Sequence, residues 1–413
     1  MTYASSSEWK CFGLNMWQQV LLGLVLGIIT GLLLGESAVD LKVLGTIFIK
    51  LIKMVVAPLI FFALIAGITS LTQAHHFKGI ALKGTIAYLA TSLMAVCFGL
   101  LLGKLFEPGV GMPLPPADSA SPVTTPPPGI QDFLMGLIPG NIVTAMAADM
   151  YLQIVVFAIF TGIVMNNIRG KTEMVKELNQ QMAHIIFKMI EWIVRLAPLA
   201  VFGFMAAMVG TTGMDAIMSL MELVVLVIVA CIAQILFFGV LIAVFARMSP
   251  LPFYRKMITT QVMAFSTSSS KATLTTAMRE LQDKMGVSQS SSNFMMPLGA
   301  CINMDGTAIY LGMTAMFFAQ MYGIPIEGTD YLMLILTCTL GSIGAAGVPS
   351  GSILFMGMVL ASVGIPMEGI AVILGVDRIL DMFRTTVNIT GDAAITLIVD
   401  KSEGQLDETQ YNA

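Results

Sequence analysis

The chain has 413 residues, 56% hydrophobic and only 11% charged, with a net charge of −4. So little charge over this length excludes a soluble globular domain, and a near-neutral balance without a basic tail gives no reason to expect a nucleic-acid partner. Apolar runs of 18 or more residues recur, which is the pattern of an all-α integral membrane protein.

In chain order the apolar runs predict eight transmembrane helices near 16–35, 41–74, 84–105, 130–167, 178–210, 217–246, 290–323 and 369–399. The first run leads directly into the second rather than into a small-residue cleavage site, so a span is expected there and not a cleaved signal. Residues 107–128 hold eight of the 17 prolines and read as an extended external linker. The five cysteines (Cys11, Cys97, Cys231, Cys301, Cys338) form no CxxC, and the three histidines are too scattered for a metal cluster. The 33 methionines read mostly as filler on apolar helix faces.

Lysine and arginine set the orientation. Lys78 and Lys83 follow span two, Arg169, Lys171 and Lys176 follow span four, Arg247, Arg255 and Lys256 follow span six, and Lys401 follows span eight. These segments are placed in the cytoplasm together with both termini. The linkers 36–40, 106–129, 211–216, 324–330 and 366–368 carry no Lys or Arg and are placed outside. Lys42 and Lys104, just inside spans, are mild exceptions.

Two stretches do not fit a simple crossing. Residues 257–278 contain "AFSTSSSKATL" and have basic residues on both flanks, so they should enter from the cytoplasm and return. Residues 331–365 have no basic flank and should enter from outside, with the tip at 345–352. Non-helical backbone at membrane depth is tolerated only where protein or water satisfies it. Two polar tips from opposite faces, each followed by a helix with an unusual polar motif, make an inverted repeat of re-entrant helical hairpin plus helix. That is a sequence pointer to a transporter's binding site.

Span eight carries "GVDRILDMFRTTVNITGD". Asp377, Asp381, Arg384, Asn388 and Asp392 are spaced 4, 3, 4 and 4, which places them on one narrow helix stripe. Each charge at a membrane centre costs about 2.5–3.5 kcal/mol on insertion scales, so the stripe needs a ligand, water or partner helices; a structural ion-pair network is the plainer alternative. Span seven carries "NMDGT", Asn303 to Thr307. An Asp flanked by Gly and Asn suggests local unwinding, with carbonyl oxygens freed for a hard cation such as Na⁺ or an acid that carries a proton; the plainer alternative is a kink with Asp305 satisfied by a neighbour. Tyr88, Thr91 and Ser92 in span three are a weak addition, because membrane helices often use hydroxyls in packing.

Together the NMDGT motif, the Ser-rich tip and the last-span pattern D-x-x-x-D-x-x-R-T-x-x-N-x-x-x-D resemble the dicarboxylate/amino acid:cation symporters, a family that includes the glutamate and neutral amino acid transporters. The resemblance runs through nearly the whole chain. It implies a homotrimer of elevator type with no cofactor. Its static scaffold would be 11–83 and 130–212. Its transport domain would be 84–106 with 213–400, including hairpin 1 at 251–283 and hairpin 2 at 331–365. Residues 107–129 would form the external linker and 401–413 a cytoplasmic tail, in a multi-pass protein of the cell inner membrane.

The resemblance also implies site roles. Asp381 would hold a substrate ammonium, and Arg384, assisted by Thr307 and Thr385, a side-chain carboxylate. Asn388 and the tips at Ser269, Ser270 and Val348 would hold the α-carboxylate. That set implies L-aspartate or L-glutamate as substrate, with Na⁺ as the coupling ion; a proton-coupled or sodium-independent carrier of aspartate or related C4 acids, or an anion-conducting channel, is the alternative. One sodium site would use Gly299, Asn303, Asn388 and Asp392. A second would use Tyr88, Thr91, Ser92, Asn303, Met304 and Asp305, and a third the carbonyls of Cys301, Ser342, Ile343 and Ala345.

Several residues depart from the family pattern. Ser268 stands where archaeal members carry Arg, and Arg378 appears in span eight as in animal members. Leu311 replaces the proton-carrying Glu of animal members, Cys301 a Thr, and Lys271 a Ser. Two readings of Lys271 stand: a side chain snorkelling to the cytoplasmic side, which we adopt, or an ammonium near Asp392 or the substrate that partly replaces a cation. An intramembrane enzyme is disfavoured, since the chain lacks HExxH and GxSxG and "NITGD" is not GxGD.

Overall fold

The computed structural model describes residues 16–70, 78–112, 135–148, 150–168, 170–213, 215–344 and 351–413. Every regular element among them is helical. The chain begins with α1 (Met16–Leu34), a 3₁₀ turn (Gly35–Leu41) and α2 (Lys42–Ser70), followed by α3 (Lys78–Phe106). Gly35, at φ +55°, reverses the chain. Gly31 lies against Ala206 and Val209 and Gly210 against Gly35 and Ala38, while Gly203 lies against Leu41 and Leu44. The apolar helical run Gln18–Ala66 is thus divided by the turn at Gly35–Leu41 into two helices that both lie against the helix Ala197–Thr212.

The next crossings are less regular than expected. In place of one span over 130–167 there are α4 (Ile142–Ala147), capped by the Asn141 side chain, which accepts from the Val143 and Thr144 amides, and α5 (Tyr151–Asn167). The span expected over 178–210 is α6 (Glu173–Val194) and α7 (Ala197–Thr212), bent by 47°. Pro198 opens α7; having no N–H, it cannot continue the hydrogen-bond ladder of α6. By length and apolarity Leu82–Phe106 and Ile217–Ala246 also qualify as membrane spans. The charged helix Ile370–Ser402 does not, since its polar stripe lowers its apolarity. The eight spans read from the sequence are thus not eight unbroken apolar helices.

From here the chain builds hairpins. α8 (Asp215–Leu241) ends in a π turn (Ile242–Ala246) and a left-handed Arg247. Then α9 (Leu251–Thr267) and α10 (Ser270–Asp283) pack together as a helical hairpin, joined at Ser268 and Ser269. α11 (Gln289–Ile302) and α12 (Asp305–Met321) form the expected broken helix, interrupted at Asn303–Met304. α13 (Thr329–Gly344) and α14 (Gly351–Ser362) pack as a second hairpin; its tip at 345–350, with Ala345 and Val348, lies outside the described residues. α15 (Ile370–Ser402) is the long central helix, and α16 (Glu408–Asn412) closes the chain.

α1 and α2 pack on α7, and α2 also on α5 and α6; α15 is wrapped by α8, α9, α10, α11 and α12 and also packs on α7 and α1, with α3 lying along α12. The expected tail at 401–413 docks on the base of the first hairpin. Lys256 donates to the carbonyls of Lys284, Gln410 and Tyr411, and the Tyr411 hydroxyl donates to the Ser249 carbonyl. Tyr411 is fully buried, and burial pushes its phenol up to about 12, so it remains a donor at neutral pH.

Candidate functional site

α15 places Asp377, Asp381, Arg384, Asn388 and Asp392 on one buried face. Arg384 is 0% exposed. Its Nη1 donates to Asp377 Oδ1 at 2.8 Å and its Nη2 to Asp381 Oδ1 at 2.9 Å, while its guanidinium carbon lies 4.0 Å from the centre of the Tyr310 ring. Arg378 approaches the other Asp381 oxygen at 3.7 Å. Two carboxylates and two guanidiniums cancel, which is how these charges are accommodated away from water. The match leaves gaps: Arg384 Nε and Asp377 Oδ2 have no hydrogen-bond partner. A buried fork with an unused N–H suits a further carboxylate.

The break between α11 and α12 builds a second polar cluster beside this one. Asn303 Nδ2 donates to Asp392 Oδ1 at 3.0 Å and its Oδ1 accepts from Thr91 at 3.1 Å. Asp305 accepts from Ser92 at 2.8 Å and from Gln234 at 3.2 Å. The Tyr88 hydroxyl lies 3.1 Å from the Met295 carbonyl and 3.3 Å from that of Asp392. Asp305 and Asp392 are fully buried, neither has a Lys or Arg partner among the described residues, and Asp392 Oδ2 has no hydrogen-bond partner. Close helix approach makes this possible. A Cβ on Gly299 would sit 2.6 Å from Asp392 Oδ1, and one on Gly306 2.6 Å from the Arg384 carbonyl.

Asn388 links the two clusters: its Oδ1 accepts from the Gly306 amide at 2.8 Å and its Nδ2 faces the Met304 sulfur at 3.2 Å. Thr307 and Thr385 are buried on the same two helices. No three His, Cys, Asp or Glu side chains gather into one group among the described residues. A donor set of amide, hydroxyl and carbonyl oxygens with single carboxylates suits a hard monovalent cation rather than a transition metal.

At the first hairpin tip Ser268 adopts a left-handed backbone (φ +50°), and its buried hydroxyl has no partner. Ser269 caps α10 by accepting from the Ala272 amide, and Ser270 is buried. Lys271 is exposed, with its ammonium 5.1 Å from the Phe187 ring centre on α6. On the second hairpin Ser342 is buried and donates to its own helix at the Thr339 carbonyl, and Ile343 and, on α11, Cys301 are half-buried.

The structure therefore gathers Tyr88, Thr91, Ser92, Gly299, Asn303, Met304, Asp305, Asn388 and Asp392 by direct contact, and Asp377, Asp381 and Arg384 beside them. Three participants were not given roles from the sequence: Gln234, Asp377 as a second partner for Arg384, and Tyr310 as its stacking face. Gln234 had a signal, since from Leu223 to Phe245 every other side chain is apolar or Cys231.

The family model of the sodium:dicarboxylate symporters matches residues 16–402 of this chain. Over 408 residues the chain is 33% identical to a C4-dicarboxylate transport protein of Leptothrix cholodnii, covering 96% of this chain and 90% of that one. A C4-dicarboxylate transport protein of Aeromonas salmonicida is 32% identical over 96% of this chain and 95% of its own, and one of Sinorhizobium medicae 33% identical over 97% and 89%.

Proposed function

This chain belongs to the sodium:dicarboxylate symporter family, a family of membrane transporters and not of enzymes, and we propose that it carries C4 dicarboxylates across a cell membrane together with cations. The carrying observation is the pairing of Asp381. The family resemblance implies that this carboxylate holds a substrate ammonium. Its oxygens instead face Arg384 and Arg378, so the site does not require an ammonium, while the unused Arg384 Nε–H favours a carboxylate.

Charge supports cation coupling. A dicarboxylate dianion would join an arginine–aspartate network of zero net charge and two further buried carboxylates, Asp305 and Asp392. Accumulated negative charge at membrane depth is strongly disfavoured unless cations enter with it. Na⁺ fits the oxygen-rich surroundings of both acids. Alternating access by movement of the α3 and α8–α15 group against α1, α2 and α5–α7 is consistent with how the helices pack.

Purified protein in liposomes tests the reading. Labelled succinate should accumulate under an imposed inward sodium gradient, exchange with internal succinate, and be displaced by fumarate or malate more effectively than by aspartate. Accumulation of aspartate in preference to succinate would restore the amino acid reading. Uptake driven by a proton gradient with choline replacing sodium would move the coupling to protons.

A further inference from the structure

Gln234 is 4% exposed in the middle of α8, the most apolar helix among the described residues, where a carboxamide without a partner is costly. Its Nε2 donates to Asp305 Oδ2 at 3.2 Å, and Ser92 donates to Asp305 Oδ1 at 2.8 Å. One buried acid is thus met by a neutral donor from α3 on one oxygen and from α8 on the other. The donor end of Gln234 must face an ionised carboxylate, which can only accept.

A carboxamide also has an acceptor end, and its last torsion is broad and roughly two-fold, so the two ends exchange without moving the helix. A cation held by Asp305 would be repelled by an N–H group and attracted by the amide oxygen. We propose that Gln234 is a reversible member of the Asp305 cation site: its N–H group holds the carboxylate when no cation is bound, and its oxygen turns to ligate the cation when one is. This rests on the reading of Asp305 as a cation carboxylate. At 3.2 Å the ion-free bond is long for a charge-assisted one, which usually lies near 2.7–2.9 Å. The amide oxygen adds a ligand that Asp305 alone does not supply, so losing the side chain weakens cation binding.

The test uses full-length protein with ¹³Cδ-labelled glutamine, the Gln234 signal being assigned by difference against Gln234→Met, and a sodium titration against choline. The Gln234 signal should move with sodium at the same midpoint as succinate binding. Gln234→Met, which nearly conserves volume, should raise the sodium half-saturation for succinate binding about tenfold, corresponding to loss of roughly one charge-assisted contact. A Gln234 signal indifferent to sodium, or a Gln234→Met sodium curve superimposed on the wild type, overturns the proposal. Should Gln234→Met fail to fold, Gln234→Glu supplies the assignment and the signal alone decides. Asp305→Asn separates the two levels: if it keeps full sodium dependence, the Asp305 reading falls; if it loses sodium dependence while the Gln234 signal stays fixed, only the role of Gln234 falls.

Discussion

Arg384 and Asp381 are joined at 2.9 Å across one turn of α15, and the same guanidinium reaches Asp377 at 2.8 Å. The arginine is thus already neutralised before substrate arrives, and what it offers is the remaining N–H edge. Arg384→Cys removes that edge, takes away the ion-pair partner of Asp377 and leaves Asp381 with Arg378 alone. Succinate affinity should fall at least about a hundredfold, and breaking the buried network should cost about 3–5 kcal/mol of stability. Arg384→Lys keeps the charge without the fork and should recover stability more than affinity. Equilibrium binding and thermal melting, read side by side, check both. Undiminished succinate affinity in Arg384→Cys would remove Arg384 from the substrate site.

Asp381→Asn separates the two substrate classes. If Asp381 serves chiefly to neutralise Arg384 and Arg378, succinate affinity should hold or rise, because the variant frees positive charge for the incoming dianion. If it holds an ammonium, aspartate binding should be lost while succinate is spared. Competition binding with both acids on one protein preparation is sufficient.

Asp305→Asn and Asp392→Asn each remove a buried carboxylate that has no basic partner. Each should shift sodium half-saturation upward by about tenfold or more, since hydrogen bonds and contacts to charged groups are worth about 1.5–3 kcal/mol. The measurement is succinate binding over a sodium range at constant ionic strength. A curve unchanged in both variants would mean that neither acid holds the coupling ion.

Lys271→Ser should leave the sodium curve in place. The ammonium lies over the exposed side of the first hairpin, against Phe187 on α6, and a cation–π contact at an exposed site is worth about 0.5–1 kcal/mol. Transport rate should change by less than about fivefold. A clear rightward shift at low sodium would instead place the lysine in the ion site.

Tyr411→Ala should release the tail. Tyr411 is fully buried and its segment receives Lys256 from the hairpin base. Hydrogen exchange at 405–413 and around Ser249 should speed up by tenfold or more, because truncating a buried aromatic costs about 3–5 kcal/mol. Equal exchange in both proteins would show that the tail is held by other contacts.

Much of this protein was legible in its sequence because membrane chemistry is severe. Apolar runs, basic flanks and a charged stripe carry large transfer penalties, so the hairpin read over 257–278, the break at Asn303–Met304 and the shared face of Asp377, Asp381, Arg384, Asn388 and Asp392 follow from local pattern and helix period. The bend at Pro198 falls inside what the apolar pattern gives as one span over 178–210 and is not read from that pattern, although the missing N–H could have marked it. What no local pattern contains is which partner each charge takes. Asp381 looks identical whether it awaits an ammonium or already faces Arg384 and Arg378, and Gln234 is a lone amide until α8 is laid against α12. Those choices depend on distances between helices far apart in sequence, and at a buried charge a shift of one ångström decides between a paired group and a binding site.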